Sequence, residues 1–212
     1  MALVITVAQQ KGGAGKTMLA ANLAACLAGS HRVTLLDIDP QHSLARWHAL
    51  RTGGSLRAIG FSAVSGWRVR DELTRLAGEA DILIVDTPPQ IDSDAARAIR
   101  AANLVLVPIQ PSMPDLWASE ATLALAAAEH RRVALVLNRT PAKSALRTRV
   151  EADLAARALV LLPTTLGDRR GYAQSFAVGM GVVEAQPRSV AAAEIAALAA
   201  AVLAMAVLES AR

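Results

Sequence analysis

One cysteine, one tyrosine, two phenylalanines and three tryptophans are all that this 212-residue chain holds of those residue types. The lone Cys26 excludes disulfides within the chain and any four-cysteine metal site. It lies in a helix-compatible run, where a small buried hydrophobe is expected. With aromatics at 3%, the core must be built from Leu, Val, Ile and Ala. His31, His42, His48 and His130 fall at no metal-ligand spacing. No apolar run approaches membrane-spanning length before Val190. The chain enters a strand-like run at once, without a charged leader, and a cytoplasmic protein is expected. Lysine is scarce too. Of 22 basic residues only Lys11, Lys16 and Lys143 are lysines.

Two of those three lysines stand in Gln9-Gln10-Lys11-Gly12-Gly13-Ala14-Gly15-Lys16-Thr17. An apolar run, Leu3 to Ala8, precedes this stretch, and a helix-compatible run, Met18 to Leu27, follows it. Strand, glycine-rich turn and helix is the setting that a phosphate-binding loop needs. Gly12, Gly13 and Gly15 let backbone N–H groups close around a phosphate. The helix adds its positive end. Lys16 is suited to neutralise β- and γ-phosphates, and Thr17 to offer its hydroxyl to Mg²⁺.

Along the chain, apolar runs at 3–8, 33–37, 56–61, 82–86, 104–109, 133–137 and 159–163 alternate with helix-like stretches. The latter cover 16–28, 40–51, 67–78, 92–101, 115–129, 143–157 and 170–178. Several of the strands are continuously apolar, as strands covered on both faces are. The expected fold is α/β: one domain over 1–212, a mostly parallel sheet with helices on both faces. Ligands of such sheets bind at the carboxyl ends of the strands. At those ends stand Asp37-Ile38-Asp39-Pro40-Gln41, Asp86-Thr87-Pro88-Pro89 and Asn138-Arg139. Local structure offers its own uses for them. Asp39 is placed to cap a helix whose first residue is Pro40, and Asp86 and Asn138 to initiate turns.

The order K-G-G-x-G-K-T, with Gln10 where an ordinary loop has its first glycine, resembles the deviant Walker A loop of the ParA/MinD family of ATPases. D-x-D-P-Q resembles that family's first switch segment, and the strand ending in Asp86 a Walker B strand. Pro108-Ile109-Gln110-Pro111-Ser112-Met113-Pro114-Asp115-Leu116-Trp117 resembles a segment of short ParA-like members, where Asp115 is read as a helix cap. The resemblance runs from Val4 to the terminal helix. It implies a P-loop fold binding ATP and Mg²⁺, with Gly12, Gly13, Ala14, Gly15, Lys16, Thr17 and Met18 around the phosphates. Asn138 would stand near the base, Thr17, Asp37 and Asp86 around the metal, and Asp39 beside the attacking water. Lys11 would act catalytically on the phosphates of a second copy. Met18 departs from the second Ser/Thr common in the family, so a lower nucleotide affinity is expected.

The resemblance further implies a dimer in the ATP state, association with the nucleoid and a cargo-bound ParB-like or adaptor partner that stimulates hydrolysis. Net charge is +4, and base outnumbers acid between 131 and 170. Arg139, Lys143, Arg147, Arg149, Arg169 and Arg170 are therefore candidates for non-specific DNA contact. Pairing of Arg147 with Glu151 and of Arg149 with Asp153 is the competing use of that helix. No helix-turn-helix precedes the loop, which argues against operator recognition. The alanine-rich run from Val190 lacks a basic face, so it is expected to pack on the domain rather than on a membrane. A MinD-like membrane ATPase and a metabolic ATPase on the same fold are the alternatives. Iron–sulfur chemistry is excluded by the single cysteine.

Overall fold

The structure is a computed structural model that describes residues 2–51, 56–141 and 145–210. Its elements are β1 (Leu3–Val7), α1 (Lys16–Leu27), β2 (Val33–Asp37), α2 (Ser43–Ala49), β3 (Gly60–Ala63), α3 (Arg68–Glu79), β4 (Ile82–Asp86) and α4 (Ser93–Ala101). There follow β5 (Leu104–Ile109), α5 (Met113–Ala128), β6 (Arg132–Leu137), α6 (Ala145–Ala156), α7 (Arg170–Phe176), α8 (Val182–Ala185) and α9 (Val190–Ser210). The six strands form one sheet in the order β3-β2-β4-β1-β5-β6, and every pairing in it is parallel. This is the expected α/β architecture.

Successive side chains of a strand point to opposite faces, and each face here has its own core. Ile5, Val7, Leu35, Ile84 and Leu106 pack with α1, α2 and the terminal helices. Val4, Leu36, Leu83 and Val85 pack with α3 and α4. Val105, Val107, Leu135 and Leu137 pack with α5 and α6. Helix α9 places Ala191, Ile195, Leu198 and Val202, a stripe at helical spacing, in the first of these cores. The expected packing of this run on the domain holds there. Among the described residues no helix is long and apolar enough to cross a membrane.

Three local expectations need correction. The run 159–163 forms no strand; it meets β6 through a single bridge between Leu135 and Leu161. Pro163 lacks the N–H that would carry the ladder on. Helix α2 starts at Ser43, not at Pro40, and its N-cap is His42 in the left-handed conformation. Asp39 instead closes a tight turn, its Oδ1 accepting from Gln41 N at 2.9 Å. Helix α5 is capped by Ser112, whose hydroxyl accepts from Asp115 N, so Asp115 is not the cap.

Candidate functional site

Parallel register sets the strand ends side by side. Asp37 pairs with Asp86 across β2 and β4, and Asp86 with Val7 across β4 and β1. The loop leaving β1 therefore passes over two carboxylates. It turns through Gly13 at φ +80° and Gly15 at φ +94°, left-handed values that favour glycine. A Cβ on Gly12 or Gly13 would meet nothing within 4 Å. Their absence leaves open space above the loop. Gly15 is the N-cap of α1, and no side chain caps the first turn of that helix. Its N–H groups remain available to an anion.

Lys16 is 6% exposed. Burial lowers its pKa, while the charges of Asp86 and Asp39 oppose that shift. Asp86 is wholly buried, and neither carboxylate oxygen has a hydrogen-bond partner. Burial pushes its pKa up to about 7, helped by the charges of Asp37 and Asp39 and opposed by the Thr17 hydroxyl and Lys16. Thr17 thus lies beside Asp86 without closing a well-formed hydrogen bond. A buried unpartnered carboxylate is costly, so it needs a reason to be there. A hydrated cation between Asp86 and the Thr17 hydroxyl is such a reason, and Mg²⁺ suits it. That ion keeps several waters and takes few protein ligands beside substrate phosphates. Among the described residues no cluster of three or more His, Cys, Asp or Glu that could hold a metal occurs.

Asp37 has a different use. It is fully buried, with Oδ1 accepting from Asp39 N and Oδ2 from Ala45 N, both at 3.0 Å. The acid at the end of β2 thus shapes the following turn and satisfies an orphan N–H in the first turn of α2. Burial raises its pKa, and the two backbone donors pull the other way. Asp37 borders the expected metal position with both oxygens already engaged. Asn138 is likewise committed. Its Nδ2 donates to Ala14 O at 2.8 Å and its Oδ1 accepts from Arg139 N at 2.9 Å, which braces the phosphate loop against the end of β6.

Beside the loop opens a cleft of about 670 Å³ bordered by Met18, Asn138, Arg139, Pro141, Asp168 and Arg170. It can take a base and sugar next to the phosphate cradle. Arg139 and Arg170 are exposed at its mouth. Arg169 is held by Glu194 at 2.6 Å, and Glu194 also accepts from Gly167 N and the Tyr172 hydroxyl. The structure therefore ties Arg169 to α9 rather than to an open basic face. On α6, Arg147 pairs with Glu151 at 2.7 Å, the use that competes with DNA contact. Asp153 pairs with Arg157 instead of Arg149, which stays exposed. Lys143 lies outside the described residues. Cys26 is half-buried against the core, and burial raises its thiol pKa.

A family model described as the CobQ/CobB/MinD/ParA nucleotide binding domain matches residues 5–147. The chain belongs to this family. Among curated ParA-type relatives, the maintenance of carboxysome distribution protein A of Halothiobacillus neapolitanus is 30% identical over 202 residues, covering 91% of this chain and 92% of that protein. The cell-division ATPase MinD of Pyrococcus furiosus superposes with a TM-score of 0.83 over 97% of this chain and all of that one, at 18% identity. MinD of Pyrococcus horikoshii, solved with Mg-ADP, superposes at 0.78 over 94% of this chain and 95% of that one, also at 18% identity. These likenesses confirm the MinD/ParA P-loop fold.

Sequence reasoning missed the contacts between the loop and the β5–α5 segment. Lys11 Nζ lies 2.5 Å from Asp115 Oδ2, Gln9 Nε2 donates to Pro108 O, and Gln110 Nε2 donates to Gly13 O. The segment was legible as a motif, but its acid read as a helix cap. Trp117, which ends the segment, is 56% exposed.

Proposed function

We propose that this family member is a Mg²⁺-dependent ATPase switch of the short ParA type. It dimerises with ATP, binds nucleoid DNA without sequence preference and positions a cargo under control of a ParB-like or adaptor protein. The observation that carries this reading is the unpartnered Asp86 facing Lys16 and Thr17 beneath an uncapped helix start. When bound, Mg-ATP supplies the scissile phosphoanhydride and the charge that this site lacks. The loop N–H groups and Lys16 would hold the phosphate oxygens, and Thr17 and Asp86 would hold the metal. Asp39, 8% exposed, uses one oxygen on its own turn and has the other to orient a water for attack. Lys11 serves the phosphates of the second copy. Asp37 acts through the backbone it fixes.

The DNA reading is supported by the exposure of Arg139, Arg149 and Arg170, in a stretch whose sequence also carries Lys143 and Arg147. Arg169 contributes less, being committed to Glu194. The test combines equilibrium dialysis, light scattering and duplex binding across a salt series. Lys16→Ala is expected to lose ATP binding. Asp39→Ala keeps binding, loses turnover and accumulates a dimer. That dimer binds duplex with a log–log salt slope of about −0.9 per phosphate neutralised, and Arg139→Glu and Arg149→Glu make the slope shallower. Duplex binding that is independent of ATP, or unmoved by both substitutions, overturns the DNA reading.

A further inference from the structure

Lys11 and Asp115 form the one direct ion pair between the phosphate loop and the β5–α5 segment among the described residues. The pair is lopsided. Lys11 is 38% exposed at its side chain and Asp115 only 1%. The carboxylate is itself fixed. Its Oδ2 accepts from the Ser112 hydroxyl at 2.5 Å, and its Oδ1 from Gln110 N at 3.4 Å. The same segment grips the loop on both sides of Lys11, through Gln9 to Pro108 O and Gln110 to Gly13 O. Helix capping does not require this arrangement, since the Ser112 hydroxyl already serves Asp115 N.

We propose that Asp115 is the positioning residue for Lys11, holding its ammonium in place for the phosphates of a second copy of this chain. The inference rests on the dimerising switch argued above. An unrestrained lysine on an open loop samples many rotamers, and each contact it makes must overcome that freedom. One N–H to Asp115 fixes the head group and leaves two for phosphate oxygens. Departure of Lys11 would strand a buried carboxylate with one hydroxyl and one long backbone contact, which is unfavourable. The geometry therefore favours a lysine that works while still attached to Asp115, not one released from a latch.

Because the chain has only Lys11, Lys16 and Lys143, labelling with ¹³C,¹⁵N-lysine gives three side-chain signals, and Lys11→Gln assigns one by its disappearance. In Asp115→Asn the Lys11 signal is expected to move to the shift and mobility of a free lysine. The affinity of the monomer for Mg-ATPγS stays within about twofold, since the loop residue that Asp115 holds, Lys11, serves the phosphates of the second copy and not those of its own. Dimerisation with that analogue, followed by light scattering, weakens by about tenfold or more for each of the two lysines, the scale of regained lysine rotamer freedom. Asp115→Glu, which keeps the charge, recovers part of the loss. Should Asp115→Asn not fold, Ser112→Ala removes the hydroxyl that steadies the carboxylate and carries the same test with a smaller loss. Unchanged dimerisation in a variant whose lysine is free overturns the proposal, and tighter dimerisation replaces it with a latch. Failure of the unsubstituted chain to dimerise with Mg-ATPγS sinks the switch reading and this inference with it.

Discussion

Asp86→Asn separates what the site needs for function from what the fold tolerates. Without nucleotide, Asp86 is a carboxylate with no exposed surface and no hydrogen-bond partner. Burial raises its pKa to about 7, while an unfolded aspartate titrates near 4. Holding the charged form in the fold at pH 8 therefore costs about 4 kcal/mol, an upper figure because relaxation and water entry reduce it. An asparagine removes the charge but leaves a buried amide without partners, which gives back about 1–3 kcal/mol. The nucleotide-free variant should thus be more stable than the parent by about 1–3 kcal/mol at pH 8. The sign with pH follows from linkage. Between about pH 4 and 7 the folded parent binds more protons at this position than the unfolded chain, so its stability falls as pH rises. Below pH 4 both states are protonated and the advantage of the variant disappears; above about 7.5 it is constant. Urea denaturation of both proteins from pH 3.5 to 8.5, read as the difference between them, isolates this residue from other titrating groups. Asp37, one strand away, contributes in the same direction through its coupling to Asp86. The same substitution should remove most of the Mg²⁺-dependent part of ATP affinity. A parent more stable than the variant at pH 8, or a difference flat with pH, would refute the claim that Asp86 is a buried charge whose burial outweighs what Lys16 and Thr17 offer it.

Two further substitutions test the surroundings. Gly15→Ala drives a Cβ into Asn138 Nδ2 from a backbone at φ +94°, so it should abolish nucleotide binding and lower stability by about 1–3 kcal/mol; retention of ATP binding in dialysis would show that the Asn138 brace yields. Arg51, 4% exposed, makes a two-pronged pair with Glu184 at 2.8 and 2.9 Å, donates to Gly179 O and lies 4.8 Å from the Trp47 ring. Arg51→Met leaves Glu184 with only Gly181 N as a donor and should cost about 3–5 kcal/mol in urea melts, part of it recovered by adding Glu184→Gln; a loss under 1 kcal/mol would contradict the burial argument.

What could be seen in the sequence followed from periodicity and from the chemistry of strand ends. Runs such as Ile82 to Val85 have no polar alternation, because both faces of the sheet are covered. The loop was legible because glycines, lysine and threonine at that spacing have few other uses. The order of the strands was not, since each parallel crossover looks alike in sequence. Nor could the run 159–163 be told from a strand, as its apolar residues pack beside β6 with only one bridge. Helix starts went wrong at 40 and 115 for a related reason. An Asp near a proline looks like a cap, whereas His42 and Ser112 hold those places; Asp39 closes a local turn and Asp115 serves a tertiary contact.

The acids of the site show how far such a reading reaches. Asp37, Asp86 and Asp115 are all buried carboxylates in segments whose residues match a motif. Their partners divide them. Asp37 has two backbone donors within its own loop and helix, and its burial is explained without any ligand. Asp115 has a hydroxyl, a backbone N–H and the Lys11 ammonium, so its burial is explained by a lysine from another element. Only Asp86 lacks a well-formed hydrogen bond, with just the Thr17 hydroxyl and the Lys16 charge nearby. Residue type and spacing nominate Asp37 and Asp86 equally and make of Asp115 a helix cap. The difference lies in donors separated from the acid by up to about a hundred residues, as Lys11 is from Asp115, and those are set by strand order. The carboxylate that the fold leaves unsatisfied is therefore the one that identifies the ligand, and the satisfied ones identify what holds the site in shape.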